Sequence, residues 1–220
     1  MVSMSIIERK DLSFNDVISL IENPDKISLS ETTESKITKC YNLVKRLSNE
    51  KKAVYGINTG FGPLCTKKIS IEEIELLQEN LLLSHAVGVG DPIDPIISKI
   101  MILCKIISLS KGYSGIRLEI IERLIYFLKN DLTPVVPKQG SVGASGDLAP
   151  LSHLFLPLIG MGSFWKGTKK VSAALILKEH RLEPFKLEAK EGLALINGTQ
   201  FILAHTIQGL SKLDYIFDLA

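Results

Sequence analysis

The sequence predicts a mainly α protein, and three observations carry that expectation. Apolar residues recur at three- and four-residue intervals in successive segments, as at Phe14, Val17, Ile18 and Ile21 and again at Ile37, Tyr41, Val44 and Leu47. Residues suited to capping helix N-termini stand at the heads of such segments, most completely at Ser70-Ile71-Glu72-Glu73, a capping box. Against these, one short run, Ser163 to Thr168 around Lys166-Gly167, carries a hairpin signal.

Taken in order, Ser13 caps a helix to Ile21, and Ser30 opens a longer one whose lysines form a solvated face. Tyr55 to Pro63 holds three glycines and a proline and is a loop. On the plain reading it is a surface connection with Tyr55 as its anchor, although such a loop also lets backbone approach a ligand closely. The helix begun at Ser70 carries Ile74, Leu77, Leu81 and His85, where a histidine near the C-terminus suits the helix dipole. Gly88 to Pro92 ends it and is too short for a dinucleotide fingerprint. Two mainly apolar helices, about 93–110 and 116–129, should be largely buried. Thr133 to Pro137 is extended by its prolines.

A further helix is expected from near Asp147 to Ile159, with Pro150 in its first turn and Pro157 kinking or ending it. The hairpin gives way to a helix from about Ser172. Another helical stretch surrounds Leu193 and Ile196, and Asn197-Gly198 breaks it. From Gln200 an apolar helix with Phe201, Leu203, Leu210 and Leu213 runs to Ala220 without a stop signal, the expectation being a bundle helix cut short.

Composition narrows the function. A hydrophobic content of 45% and a formal charge of +2 give no reason to expect nucleic acid or a membrane as partner. The N-terminus lacks a secretory pattern, and Pro95, Lys99 and Lys105 interrupt the most apolar stretch, so a cytoplasmic protein is expected. That placement also discounts the sequon at Asn197. Cys40, Cys65 and Cys104 are far apart and read as buried thiols in a reducing compartment. His85, His153, His180 and His205 have no metal-ligand spacing, so no metal is expected.

The most informative stretch is Gly140-Ser141-Val142-Gly143-Ala144-Ser145-Gly146-Asp147. Its plain reading is a glycine turn and a helix N-cap. It is not a G-x-S-x-G elbow, because Asp147 stands where glycine is needed. A second reading gives each of Ala144, Ser145 and Gly146 a chemical part. In a compressed turn the Gly146 nitrogen reaches the Ala144 carbonyl carbon and closes a five-membered ring. Loss of one water from the ring and one from the Ser145 side chain leaves a methylidene-imidazolone (4-methylidene-imidazol-5-one, MIO). A helix starting at about Asp147 would aim its positive end at this electrophile.

Four stretches in order, Tyr55 to Gly62, Ser84 to Gly88, Gly143 to His153 and Asn197 to Gln200, resemble the aromatic amino acid ammonia-lyase family. The likeness is closest to its histidine-specific members and covers nearly the whole chain. It implies the N-terminal helical domain of the ammonia-lyase (fumarase/aspartase-like) fold over residues 1–195, and the first part of a truncated long central bundle over 196–220. It also implies an MIO made from Ala144-Ser145-Gly146, with Tyr55 as general base for the β-proton and no metal. Asn197 would hold the amino-acid portion of the substrate, either the amine or the imidazole ring being captured by the electrophile. His85 would contact the substrate imidazole, and Asn58 and Gly60 would shape the Tyr55 loop within the substrate-binding group. The reaction implied takes L-histidine to trans-urocanate and ammonia. Alternatives are a tyrosine or phenylalanine ammonia-lyase or aminomutase, and a non-catalytic remnant or assembly subunit. Family members are homotetramers with shared sites, so a homo-oligomer or a separate C-terminal chain is the expected partner. The family's carboxylate-binding arginine has no counterpart here.

Overall fold

The computed structural model describes residues 12–50, 52–60, 69–143 and 146–219. The helices in chain order are α1 (Phe14–Glu22), α2 (Glu31–Asn49), α3 (Ile71–His85), α4 (Pro95–Leu109), α5 (Leu118–Lys129), α6 (Leu148–Phe155), α7 (Ala173–Glu179), α8 (Glu191–Ile196) and α9 (Gln200–Leu219). Ser13, Ser30 and Ser70 cap α1, α2 and α3 with their hydroxyls, and Ser13 and Ser70 complete reciprocal capping boxes.

The core gathers around α4. Ile97, Ile100, Met101, Ile102, Leu103, Ile106 and Leu109 are all buried, so this helix is enclosed on nearly every side. Packed on it are α1, α5 and the first half of α9, while α3, α6 and α8 pack on one another. Ala204 and Ile207 of α9 belong to the same apolar core. Farther along α9, Leu210, Leu213, Ile216 and Phe217 are exposed. Among the described residues no helix is long and apolar enough to cross a membrane.

The expected hairpin is present as β3 (Ser163–Lys166) and β4 (Lys169–Ser172), with Gly167 at positive φ in its two-residue turn. A second antiparallel pair, β1 (Val89–Pro92) with β2 (Pro137–Gln139), is not legible in the sequence. Its strands are short and proline-bounded, and each lies at an edge, where a missing amide is tolerated. As expected, the helix does not continue through Pro157: α6 ends at Phe155 and passes into a 3₁₀ turn over Leu156–Ile159 that contains the proline.

Two expectations need correction. The buried stripe of α3 runs through Ile74, Gln78 and Leu82, one position away from the predicted Leu77 and Leu81, which are only half-buried. Periodicity misses this face because a glutamine occupies its centre. Cys104 is buried, and burial pushes its thiol up to about 12, but Cys40 is only half-buried. Cys65 lies outside the described residues.

Candidate active site

Asp147 organises the glycine turn. It is wholly buried, and one carboxylate oxygen accepts from the Ser141 hydroxyl at 2.7 Å. The other accepts from the amides of Phe201 and Ile202 at 3.0 and 3.1 Å. The sequence places Asp147 at the head of α6, and its backbone is there, but its side chain makes no cap bond to α6. The carboxylate caps α9 instead, where unpaired amides and the positive helix end favour an anion.

Its own amide donates to the carbonyl of Gly198 at 2.7 Å. Beside it, Gly146 has φ +125°, and a Cβ built there would lie 2.6 Å from the same carbonyl oxygen. The end of the turn and the break after α8 are therefore in direct contact, at a position only glycine can occupy. Ala144 and Ser145 lie outside the described residues.

Asn197 closes α8, with its amide donating to the carbonyl of Leu193 at 3.0 Å and its side chain exposed. At the other end of α8, buried Glu191 accepts from the backbone amide, Nε and Nη2 of Arg117 and from the amide of Glu188. The helix lies tight on α3. A Cβ at Gly192 would come 2.5 Å from the carbonyl oxygen of Gln78, whose side-chain oxygen accepts from the amide of Leu193 at 3.1 Å.

His85 ends α3 and is half-buried. Its Nδ1 lies 2.8 Å from the carbonyl oxygen of Leu81. A carbonyl only accepts, so Nδ1 carries the hydrogen, and the tautomer this bond selects presents Nε2 as an acceptor. Just beyond, the amide of Gly88 donates to Nε2 of His153 at 2.9 Å, tying the chain after His85 to α6. Burial lowers the pKa of His153, which keeps that nitrogen unprotonated. Sequence reasoning gave His153 no role beyond membership of the Gly143 to His153 stretch, and that stretch was the available signal.

These parts enclose a cleft of about 180 Å³ lined by Ser84, His85, Val87, Gly140, Ser141, Val142, Gly146, Leu148 and Ala149. A larger cavity, about 290 Å³, lies elsewhere beside Tyr41, Lys45, Ile74 and Glu188. Its polar groups bond one another, with Tyr41 donating to Glu188 at 2.7 Å and Lys45 to Tyr41 at 3.1 Å. Of the sequence-predicted site residues, His85 and Gly146 line the smaller cleft, and Asn197 does not.

Tyr55, Asn58 and Gly60 do not line that cleft. Asn58 is fully buried and shapes its own loop, its oxygen accepting from the amide of Val54 and its nitrogen donating to the carbonyls of Leu47, Glu50 and Lys52. Gly60 is buried, and its carbonyl accepts from the Thr59 hydroxyl at 3.0 Å. Tyr55 is 63% exposed. Among the described residues no cluster of three or more His, Cys, Asp or Glu side chains is arranged to hold a metal.

Residues 12–220 match the family model described as aromatic amino acid lyase. The histidine ammonia-lyase of Symbiobacterium thermophilum is 45% identical over 199 residues, which cover 90% of this chain and 39% of that protein. Among solved structures, histidine ammonia-lyase from Trypanosoma cruzi aligns with a TM-score of 0.81 at 38% identity, over 90% of this chain and 38% of the other. Tyrosine aminomutase from Streptomyces globisporus aligns with a TM-score of 0.83 at 32% identity, over 90% of this chain and 37% of the other. The chain thus spans about two fifths of the length of the curated relatives it matches. With the family model matched almost end to end and the helical architecture shared with these structures, the chain belongs to the aromatic amino acid lyase family.

Proposed function

We propose that the chain is the N-terminal portion of a histidine ammonia-lyase, a cytoplasmic carbon–nitrogen lyase converting L-histidine to trans-urocanate and ammonia. The observation that carries this reading is the contact of Gly146 with Gly198 at the edge of the cleft that His85 lines. Ring closure within Ala144-Ser145-Gly146 requires an unhindered nitrogen at Gly146, and that residue sits where no Cβ fits. The residues therefore suit a methylidene-imidazolone. Once formed, that group supplies an electrophile which makes the substrate's ammonia a better leaving group.

The remaining roles fall to this chain's own side chains. Nε2 of His85 accepts the imidazole N–H of the substrate while its Nδ1 stays tied to Leu81. The exposed side chain of Asn197, at the end of a firmly held helix, binds the amino-acid portion. Tyr55 removes the β-proton, on a loop whose shape Asn58 and Gly60 maintain. Residues 1–195 serve as the N-terminal domain, and 196–220 begin a central bundle completed in a homotetramer or by a separate C-terminal chain.

The test expresses the chain together with a polypeptide carrying the remainder of its relatives' pattern. Urocanate formation and the mass of the peptide spanning Ser145 are then followed. Urocanate is expected, with a peptide two waters lighter than its sequence, and Ser145→Ala abolishes both. His85→Leu weakens histidine use and relatively favours phenylalanine, because the imidazole loses its partner. A folded, complemented protein with an unmodified turn overturns the lyase reading and leaves a non-catalytic subunit. A parent that prefers tyrosine or phenylalanine overturns the histidine assignment and leaves the tyrosine or phenylalanine lyase or aminomutase.

A further inference from the structure

Lys105 is the least expected side chain in the core. It lies in the second half of α4 with 1% of its surface exposed. Its amine donates to the carbonyls of Ala194 and Asn197 at 3.2 and 2.9 Å, and the Phe155 ring lies beneath it at 6.0 Å. Burial works against a charged amine at this place and pulls its pKa down to about 7. A thioether or aliphatic side chain would fill the same space without that penalty. What it could not do is bind two carbonyls at the C-terminal end of α8, groups with no partner inside their own helix.

We infer that Lys105 is a positioning residue of the candidate site: through the carbonyl of Asn197 it fixes the break after α8, and through Gly198 it holds Gly146 and Asp147 in the compressed turn. The inference rests on the reading of Ala144-Ser145-Gly146 as a ring-forming tripeptide. Few links are involved. Lys105 Nζ holds the Asn197 carbonyl, the adjoining Gly198 carbonyl accepts from the Asp147 amide at 2.7 Å, and Asp147 in turn caps α9. Glu191 already anchors the other end of α8, so loss of the amine frees the Asn197 end alone. The Asn197–Gly198 peptide can then turn, the Gly198 carbonyl leaves the Asp147 amide, and the turn relaxes. An ammonium has three N–H donors and a neutral amine two, so the tie holds in either protonation state.

The test uses the full 220-residue chain with Lys105→Met or Lys105→Gln, complemented as above with a polypeptide carrying the remainder of its relatives' pattern. Hydrogen exchange at the Asp147 amide is read as a ratio to exchange at the core amide of Ile100, alongside melting temperature and the mass of the turn peptide. Lys105→Met is expected to melt no lower than the parent, yet the ratio rises about tenfold, as for loss of one hydrogen bond. The cyclised fraction falls with it. Lys105→Gln, a shorter donor, gives an intermediate ratio. Should the Met variant fail to fold, the Gln variant carries the test: a raised ratio supports the inference and an unchanged one overturns it. In a folded Met variant, an unchanged ratio with full cyclisation likewise overturns it. If the parent itself shows no mass loss, the reading of the tripeptide fails, while the exchange ratio still judges Lys105.

Discussion

Gly146 and Asp147 are neighbours with opposite demands on their surroundings. Gly146 needs emptiness, because its φ of +125° and its 2.6 Å approach to the Gly198 carbonyl exclude any side chain. Asp147 needs partners, because a buried carboxylate is costly unless its oxygens accept hydrogen bonds, and three groups supply them. Gly146→Ala is therefore expected to destabilise the fold by roughly 2–4 kcal/mol, from backbone strain and from forcing a methyl onto a carbonyl. Urea denaturation of the variant checks this, and a midpoint matching the parent's would mean that the turn is looser than its geometry indicates. Asn58 offers a contrast at the same scale: its buried amide is committed to its own loop, so what it determines is the shape from which Tyr55 projects.

Among the elements, α8 has the most unusual design. Six residues would not hold a helix alone, since nucleation is unfavourable and few hydrogen bonds follow. Glu191 at its start and Lys105 at its end match the helix dipole, and Gly192 lets it lie directly on α3. Gly192→Ala and Gly209→Ala should accordingly have opposite signs although both add helix propensity. At Gly192 the new methyl meets the Gln78 carbonyl at 2.5 Å, and a net loss of about 1–2 kcal/mol is expected. At Gly209, inside α9, nothing lies within 4 Å, and a gain of about 0.5–1 kcal/mol follows from reduced chain entropy. Thermal melts of the pair decide it; a shared sign would show that α8 is free to shift off α3.

At the scale of the whole molecule, buried basic groups set the direction of pH dependence. Lys105 titrates at about 7 in the fold against 10.5 ordinarily, so between these values the unfolded chain holds more protons than the native one. Stability therefore rises with pH across that window and is lost as pH falls through about 7, the full difference corresponding to roughly 5 kcal/mol. Burial lowers His153 below its ordinary 6.5, which adds a further loss as pH falls below that value. Protonated Nε2 would set an N–H against the Gly88 amide that donates to it. Denaturation of parent and Lys105→Met from pH 6 to 10 should give a rising curve for the parent and a clearly flatter one for the variant. Parallel curves would mean that water reaches the amine.

The sequence by itself determined most of the helices and the serine caps of the first three. Local rules govern these things: a serine ahead of an acidic residue caps wherever it sits, and apolar spacing marks a helix face without knowledge of its partner. The glycine turn was legible in the same way, as a run of residue types, whereas His85 and Asn197 stood out as site residues only through the resemblance of their stretches to the family. Only tertiary structure decided which groups meet. Asp147 caps a helix that begins 53 positions later, Lys105 reaches carbonyls 89 and 92 positions away, and Gly88 finds the ring of His153 across 65. Gln78 lies on a buried face because Leu193 needs an acceptor there. Such pairings leave no periodic trace, since each answers a single unsatisfied polar group that exists only once the helices have packed.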